Sequence, residues 1–108
     1  MAAEPTPFAK IQEAVVTVLD ASGNVNQDAV TLNNGDQIYW TSTRGIGDCW
    51  IVFPSVKKSP LGGQAAVQLL RDGGTIGPFP IKGKKRTGYK YSVIGLEDSN
   101  DPTIIVDN

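Results

Sequence analysis

Short segments in which apolar and polar residues alternate, each closed by glycine, proline or asparagine, fill this chain. Residues 89–94 place Tyr89, Tyr91 and Val93 on one face and Lys90 and Ser92 on the other. That period of two marks a half-buried strand. Residues 102–106 form a short β-branched apolar stretch ended by Asp107, and the loop 95–101 joins the two runs into a closing hairpin. Residues 37–41 alternate in the same way, with Ile38 and Trp40 inward and Gln37, Tyr39 and Thr41 facing the other way. Before them, Asn33-Asn34-Gly35-Asp36 follows a short strand at 29–32. Asn-Gly there predicts a hairpin, because both residues tolerate positive φ. Residues 49–53 form a further strand, ended by Pro54, with Trp50 and Val52 opposite Cys49, Ile51 and Phe53.

Other segments are less regular. Residues 11–19 are apolar on both faces, which predicts a strand covered on both sides or one at a sheet switch. Residues 65–70 suit a short helix or a strand, and an all-β setting favours the strand. Pro78 and Pro80 confine 75–81 to a sheet edge or an extended loop. The count is about seven or eight short strands, at the spacing of an antiparallel Greek-key β-sandwich. Residues 11–108 form that one domain, preceded by a loosely held, Pro-rich arm at 1–10.

Composition sharpens this picture in a few places. Twelve Gly and seven Pro leave little room for long helices. A 40% hydrophobic and 19% charged composition is ordinary for a folded domain. The net charge of −1 gives no general field toward nucleic acid or anionic membrane. The charge is uneven, however: Lys82, Lys84, Lys85, Arg86 and Lys90 crowd one stretch, and acids dominate from Glu97 onward. No apolar run approaches the roughly 20 residues of a membrane helix. The start Ala2-Ala3-Glu4-Pro5-Thr6-Pro7 reads either as a processed N-terminus behind an added Met1, hence secreted or periplasmic, or as a native cytoplasmic start. Cys49 is the single cysteine, so an intrachain disulfide is excluded and the redox compartment stays open.

Three pieces, taken in order, resemble the cupredoxin family. Residues 30–41 resemble its segment in which a Gly-Asp turn leads into a strand ending at an inward Trp, here Trp40. Cys49-Trp50-Ile51-Val52-Phe53 resembles the strand that opens with the first copper-binding histidine. Residues 88–106 resemble the closing hairpin, whose loop in copper-binding members carries a cysteine, a histidine and a methionine. An immunoglobulin-like or fibronectin-like sandwich shares the strand count and is the alternative fold. The resemblance implies electron transfer through a type 1 copper centre, and the residues depart from it. Such a centre needs two imidazoles and a thiolate, usually with an axial thioether. The chain has no histidine, and its one methionine is Met1. Cys49 stands at the first histidine position and Val93 or its neighbour near the cysteine position. The expectation is a cupredoxin-like domain with no copper and no other cofactor.

Catalytic chemistry is equally short of parts. Without histidine, Ser-His-Asp and Cys-His systems have no base, and one thiol does not make an all-cysteine zinc site. Gly62-Gly63 and Gly73-Gly74 lack the Gly-Lys-Ser/Thr of a phosphate loop. The chain is therefore not expected to be an enzyme. Cys49 beside Asp48 reads as a passive core residue, since a neighbouring carboxylate raises a thiol pKa. The loop Glu97-Asp98-Ser99-Asn100-Asp101 offers oxygen ligands for a hard cation, but without calcium-loop spacing it reads as a solvated turn.

Two features point toward partners. Lys82, Lys84, Lys85, Arg86 and Lys90, interleaved with tyrosines, suit a polyanion, with Lys57 and Lys58 as additions if the fold brings them near. Against this, a charged turn also serves simply to keep a sheet edge from pairing. Trp50, if exposed beside Pro54, Pro78, Phe79 and Pro80, forms an apolar recognition patch. The expected function is a non-catalytic binding or structural domain that meets another protein, or itself, through a sheet face or edge. The alternative is a polyanion-binding module built on 82–90.

Overall fold

The computed structural model describes residues 11–95 and 101–108. The arm expected at 1–10 and residues 97–100 of the acidic loop lie outside the described residues. Among the described residues nine strands follow one another: β1 (Glu13–Val18), β2 (Ala29–Leu32), β3 (Gln37–Ser42), β4 (Cys49–Val52), β5 (Val67–Leu70), β6 (Thr75–Pro80), β7 (Thr87–Lys90), β8 (Ser92–Ile94) and β9 (Thr103–Val106). Among the described residues there is no helix, hence none long and apolar enough to cross a membrane.

One layer of the sandwich is the sheet β1-β3-β6. The other joins β2-β9-β7 to β5-β4-β8, because β7 and β8 are two halves of one run interrupted at Tyr91. The Tyr91 N–H still bonds Pro102 beside β9, at 3.0 Å, and from Ser92 the run pairs with β4 instead. Nine described strands stand where the alternation predicts about seven or eight, since a period of two carries straight through the break.

Three further expectations change. Four pairings are antiparallel, but β1 lies parallel to β3 and β2 parallel to β9, so the sandwich is mixed. Asn34-Gly35 does not close a hairpin, because β2 and β3 belong to different layers. Only Gly35 in that turn takes positive φ, +91°, while Asp36 N–H returns to Asn33 O at 3.0 Å. That is a type II pattern, which turns a corner where the primed type favours a hairpin. The Asp36 carboxylate then accepts from the N–H groups of Asn33, at 2.7 Å, and Gln12, at 3.0 Å, tying the corner to the start of β1. Finally, β1 is covered on one face only: Val16 and Val18 are buried, whereas Val15 and Leu19 are exposed.

Two of the less regular segments are as expected. Residues 67–70 are a strand, and β6, with its two prolines, is an edge strand of its sheet. Gly77 and Pro78 bulge out of register opposite Tyr39. The core is aromatic where the layers meet. Trp40 of β3 lies edge-on to Tyr91 at 5.4 Å and to Phe53 at 6.3 Å, with Phe79 tilted against it at 5.7 Å. Its indole N–H donates to the Tyr91 hydroxyl at 3.2 Å, so one buried hydrogen bond crosses from layer to layer. Burial pushes the Tyr91 phenol up to about 12.

Candidate functional site

The basic segment is held by backbone contacts that leave its side chains outward. Lys82 N–H bonds Pro60 O at 2.8 Å, and Gly83 N–H bonds the Asn34 side-chain oxygen at 2.7 Å. Lys84 N–H donates to the Tyr89 hydroxyl at 2.8 Å. Arg86 takes a left-handed φ of 57° to turn the chain into β7. Across from it, after β4 ends, residues 55–58 fold into a turn in which Lys58 N–H bonds Ser55 O at 3.1 Å. Tyr89 is half-buried, with its ring packed toward the core and its hydroxyl near the surface.

Between these segments lies a groove of about 490 Å³, lined by Pro54, Lys57, Lys58, Lys84, Thr87, Gly88, Tyr89 and Lys90. The fold thus brings Lys57 and Lys58 to the same groove as Lys84 and Lys90, from segments far apart in the chain. No carboxylate is among the described residues that line it. Lys82 points elsewhere, into a hollow with Asn34, Pro80 and Gly62, and Lys85 and Arg86 stand exposed outside the groove. So five clustered basic residues in sequence become two in the groove, joined by two that the sequence could not place.

Next to the groove the outer face of β5-β4-β8 is apolar. Trp50 pairs with Leu69 on one side and Ile94 on the other, and Val52 pairs with Val67 and Ser92. The alternation expected for 49–53 holds, with Cys49, Ile51 and Phe53 buried. The outward side chains remain open: Trp50 and Leu69 are each 37% exposed, Ile94 42% and Val67 53%. Of the residues expected beside Trp50, Pro54 lies further along the same outward row, but Pro78 and Pro80 belong to β6 in the other layer and Phe79 packs inward on Trp40. The neighbours of Trp50 are instead cross-strand residues, visible only once the register is known. The indole lies over Gly95, where a Cβ would come within 2.7 Å of its ring atoms, so only glycine leaves it that seat.

The loop that leads into β4 is fixed by carboxylates. Asp72 accepts from Gly45 N–H at 2.7 Å and Gly47 N–H at 3.1 Å, and the Gly47 and Gly45 amides hold its carboxyl below the usual range. Asp48 in turn accepts from Asp72 N–H at 2.8 Å. Cys49, which follows, is fully buried, and burial together with the Asp48 charge pushes its thiol up. Beside it on β8, Val93 is buried against the same core. Of the ligand positions that fall on described residues, one is thus a buried thiol and the other, at Val93 or its neighbour, is apolar. Among the described residues, no three His, Cys, Asp or Glu side chains gather to hold a metal ion. A type 1 centre needs two imidazoles, and the sequence has no histidine.

The chain matches no protein-family model and no curated protein sequence. Its fold is similar to that of amicyanin from Paracoccus versutus (Thiobacillus versutus), with a TM-score of 0.55 and 17% identity, covering 94% of this chain and 85% of that one. A likeness at that identity concerns the fold alone. Nine strands in a two-layer sandwich, with this structural relative, make the fold a cupredoxin-like β-sandwich.

Proposed function

We propose that this chain is a non-catalytic, copper-free binding domain whose lysine groove takes an anionic partner. What supports the reading is the gathering of Lys57, Lys58, Lys84 and Lys90 around one groove whose described lining has no carboxylate. Cations gathered on a shared concave surface favour an anion, and the Tyr89 ring and Pro54 give it an apolar wall. The copper-free part rests on the donor set at Cys49 and Val93, and the non-catalytic part on the absence of histidine.

Retention on an immobilised sulfated polysaccharide, eluted with increasing salt, tests the groove. Wild-type protein should be retained and should elute earlier as lysines are removed, the salt slope falling by roughly one per lysine. Changing Lys57, Lys58, Lys84 and Lys90 together to Gln should abolish retention. Removing Lys85 and Arg86 should matter less. Equal retention of the fourfold variant ends the proposal. Metal analysis and copper titration by visible absorbance test the other part, and a stoichiometric copper site with an intense thiolate band would overturn it.

A further inference from the structure

We infer that the partner of the groove is an acidic polypeptide segment with apolar side chains at one end, and that those side chains seat on the face formed by Trp50, Leu69 and Ile94. This rests on the reading of the groove as an anion site. The two surfaces are continuous. Along β4 and the β7–β8 run, the outward positions go from Trp50 and Ile94 to Val52 and Ser92, and then to Pro54 and Lys90. Pro54 and Lys90 line the lysine groove and also an adjoining hollow lined by Val52 and Ser92. A ligand extending out of the groove along these strands arrives on the apolar face.

Charge decides what kind of ligand that is. At the junction Asp101 accepts a hydrogen bond from Ser92 at 3.1 Å and lines the adjoining hollow. At the far end, beyond Trp50, the interlocked Asp48 and Asp72 add two more carboxylates. Lysines thus stand at one end of the track, a carboxylate at the junction, and two carboxylates past the apolar row. A sulfated glycan or a nucleic acid carries negative charge in every unit and would lay it over Asp101, where like charges repel. A peptide with acidic residues confined to one end places them on the lysines and apolar side chains on Trp50, Leu69 and Ile94, and it puts no charge at the junction. Aromatic and aliphatic anchors in such a setting carry much of the binding energy.

Two synthetic peptides of equal length and equal glutamate number provide the test, one continuing into Leu and Phe, the other into Gly and Ser. Titrations at low salt, with a sulfated oligosaccharide as a third probe, compare their affinities. The apolar-tailed peptide should bind about tenfold tighter or better. Trp50→Ser with Leu69→Ser should remove that advantage and leave glutamate-dependent binding, while the fourfold lysine variant should lose both peptides. On the unaltered protein, the apolar-tailed peptide should shield the exposed indole from a soluble quencher and the Gly-Ser peptide should not, a readout that needs no variant. Equal binding of the two peptides, or an advantage that survives the Trp50 variant, overturns the inference and leaves the groove standing. Oligosaccharide binding tighter than either peptide, unchanged by the Trp50 variant, does the same and assigns the groove to a glycan. Binding of none of the three overturns the inference and the groove together.

Discussion

The two layers of this sandwich have similar inner faces and unlike outer ones. Inward, each contributes β-branched and aromatic residues: Val16, Val18, Ile38 and Trp40 from one, Ile51, Phe53, Tyr91 and Val93 from the other. Outward, the β1-β3-β6 sheet shows Glu13, Val15, Thr17, Gln37, Thr41 and Thr75, with Thr17, Thr41 and Thr75 aligned across all three strands. Its outward aromatic Tyr39 is half-buried and donates its hydroxyl to Glu13 at 3.4 Å. The outer face of β5-β4-β8 is hydrocarbon in five of its six outward positions: Val67, Leu69, Trp50, Val52 and Ile94, with Ser92 the exception. Folding explains the inner faces, since hydrocarbon must leave water somewhere. It does not explain why one outer face is mostly polar and the other tryptophan, leucine and valine, and that difference is what the proposed docking of an apolar segment draws on.

Attacking what the layers share should have the largest effect. Trp40→Ala removes the indole and the hydrogen bond to Tyr91, and it should cost about 3–5 kcal/mol in denaturant unfolding. Raising pH attacks the same core by another route, since burial disfavours the Tyr91 phenolate even though the Trp40 N–H bond favours it. Tyr91 titrates near 10 when unfolded and is pushed up to about 12 when folded, so its contribution is complete below pH 10 and lost as pH rises toward 12. Roughly 2–3 kcal/mol should disappear across that window, with the Cys49 thiol, also pushed up, acting in the same direction. Tyr91→Phe should flatten the tyrosine part of that loss in stability curves measured between those pH values.

Smaller changes separate the two outer faces. Gly95→Ala places a methyl against the Trp50 ring at a φ of +93° and should cost about 1–2 kcal/mol, with altered Trp50 fluorescence as its signature. Val67→Thr with Leu69→Thr should change stability by less than about 1 kcal/mol yet lower the binding of an apolar surface dye. Val15→Thr on the opposite sheet, also at an exposed position, should move stability as little and leave dye binding as it was. Equal dye responses from the two faces would erase the distinction between them.

Much of the strand pattern was legible because alternation is a local property. Trp50 facing away from Cys49 and the β6 prolines at an edge both follow from residues within one segment. What could not be read was pairing. Parallel neighbours such as β1 and β3 leave no mark in either strand, and the Asn-Gly turn is equally good chemistry for a corner. The candidate site divides the same way. Lys84 and Lys90 were found from their own run, whereas Lys57 and Lys58 required the turn at 55–58 to fall beside β7. The Trp50 face needed the register of three strands, and no single strand contains it.

The position of β9 has a consequence for how the chain is made. This strand lies between β2 and β7, inside its layer rather than at an edge, although it is the last of the nine in chain order. Asn34 reaches across 74 positions to the carbonyl of Asn108. While the ribosome is still working, β2 has no strand to lie against, and the half-finished sheet shows open hydrogen-bonding edges to whatever is nearby. Closure waits for the tunnel to release residues 103–106, and pairings between such distant partners form slowly. Nascent chains of this protein should therefore depend on holding factors until the final strand arrives and then close in one late step.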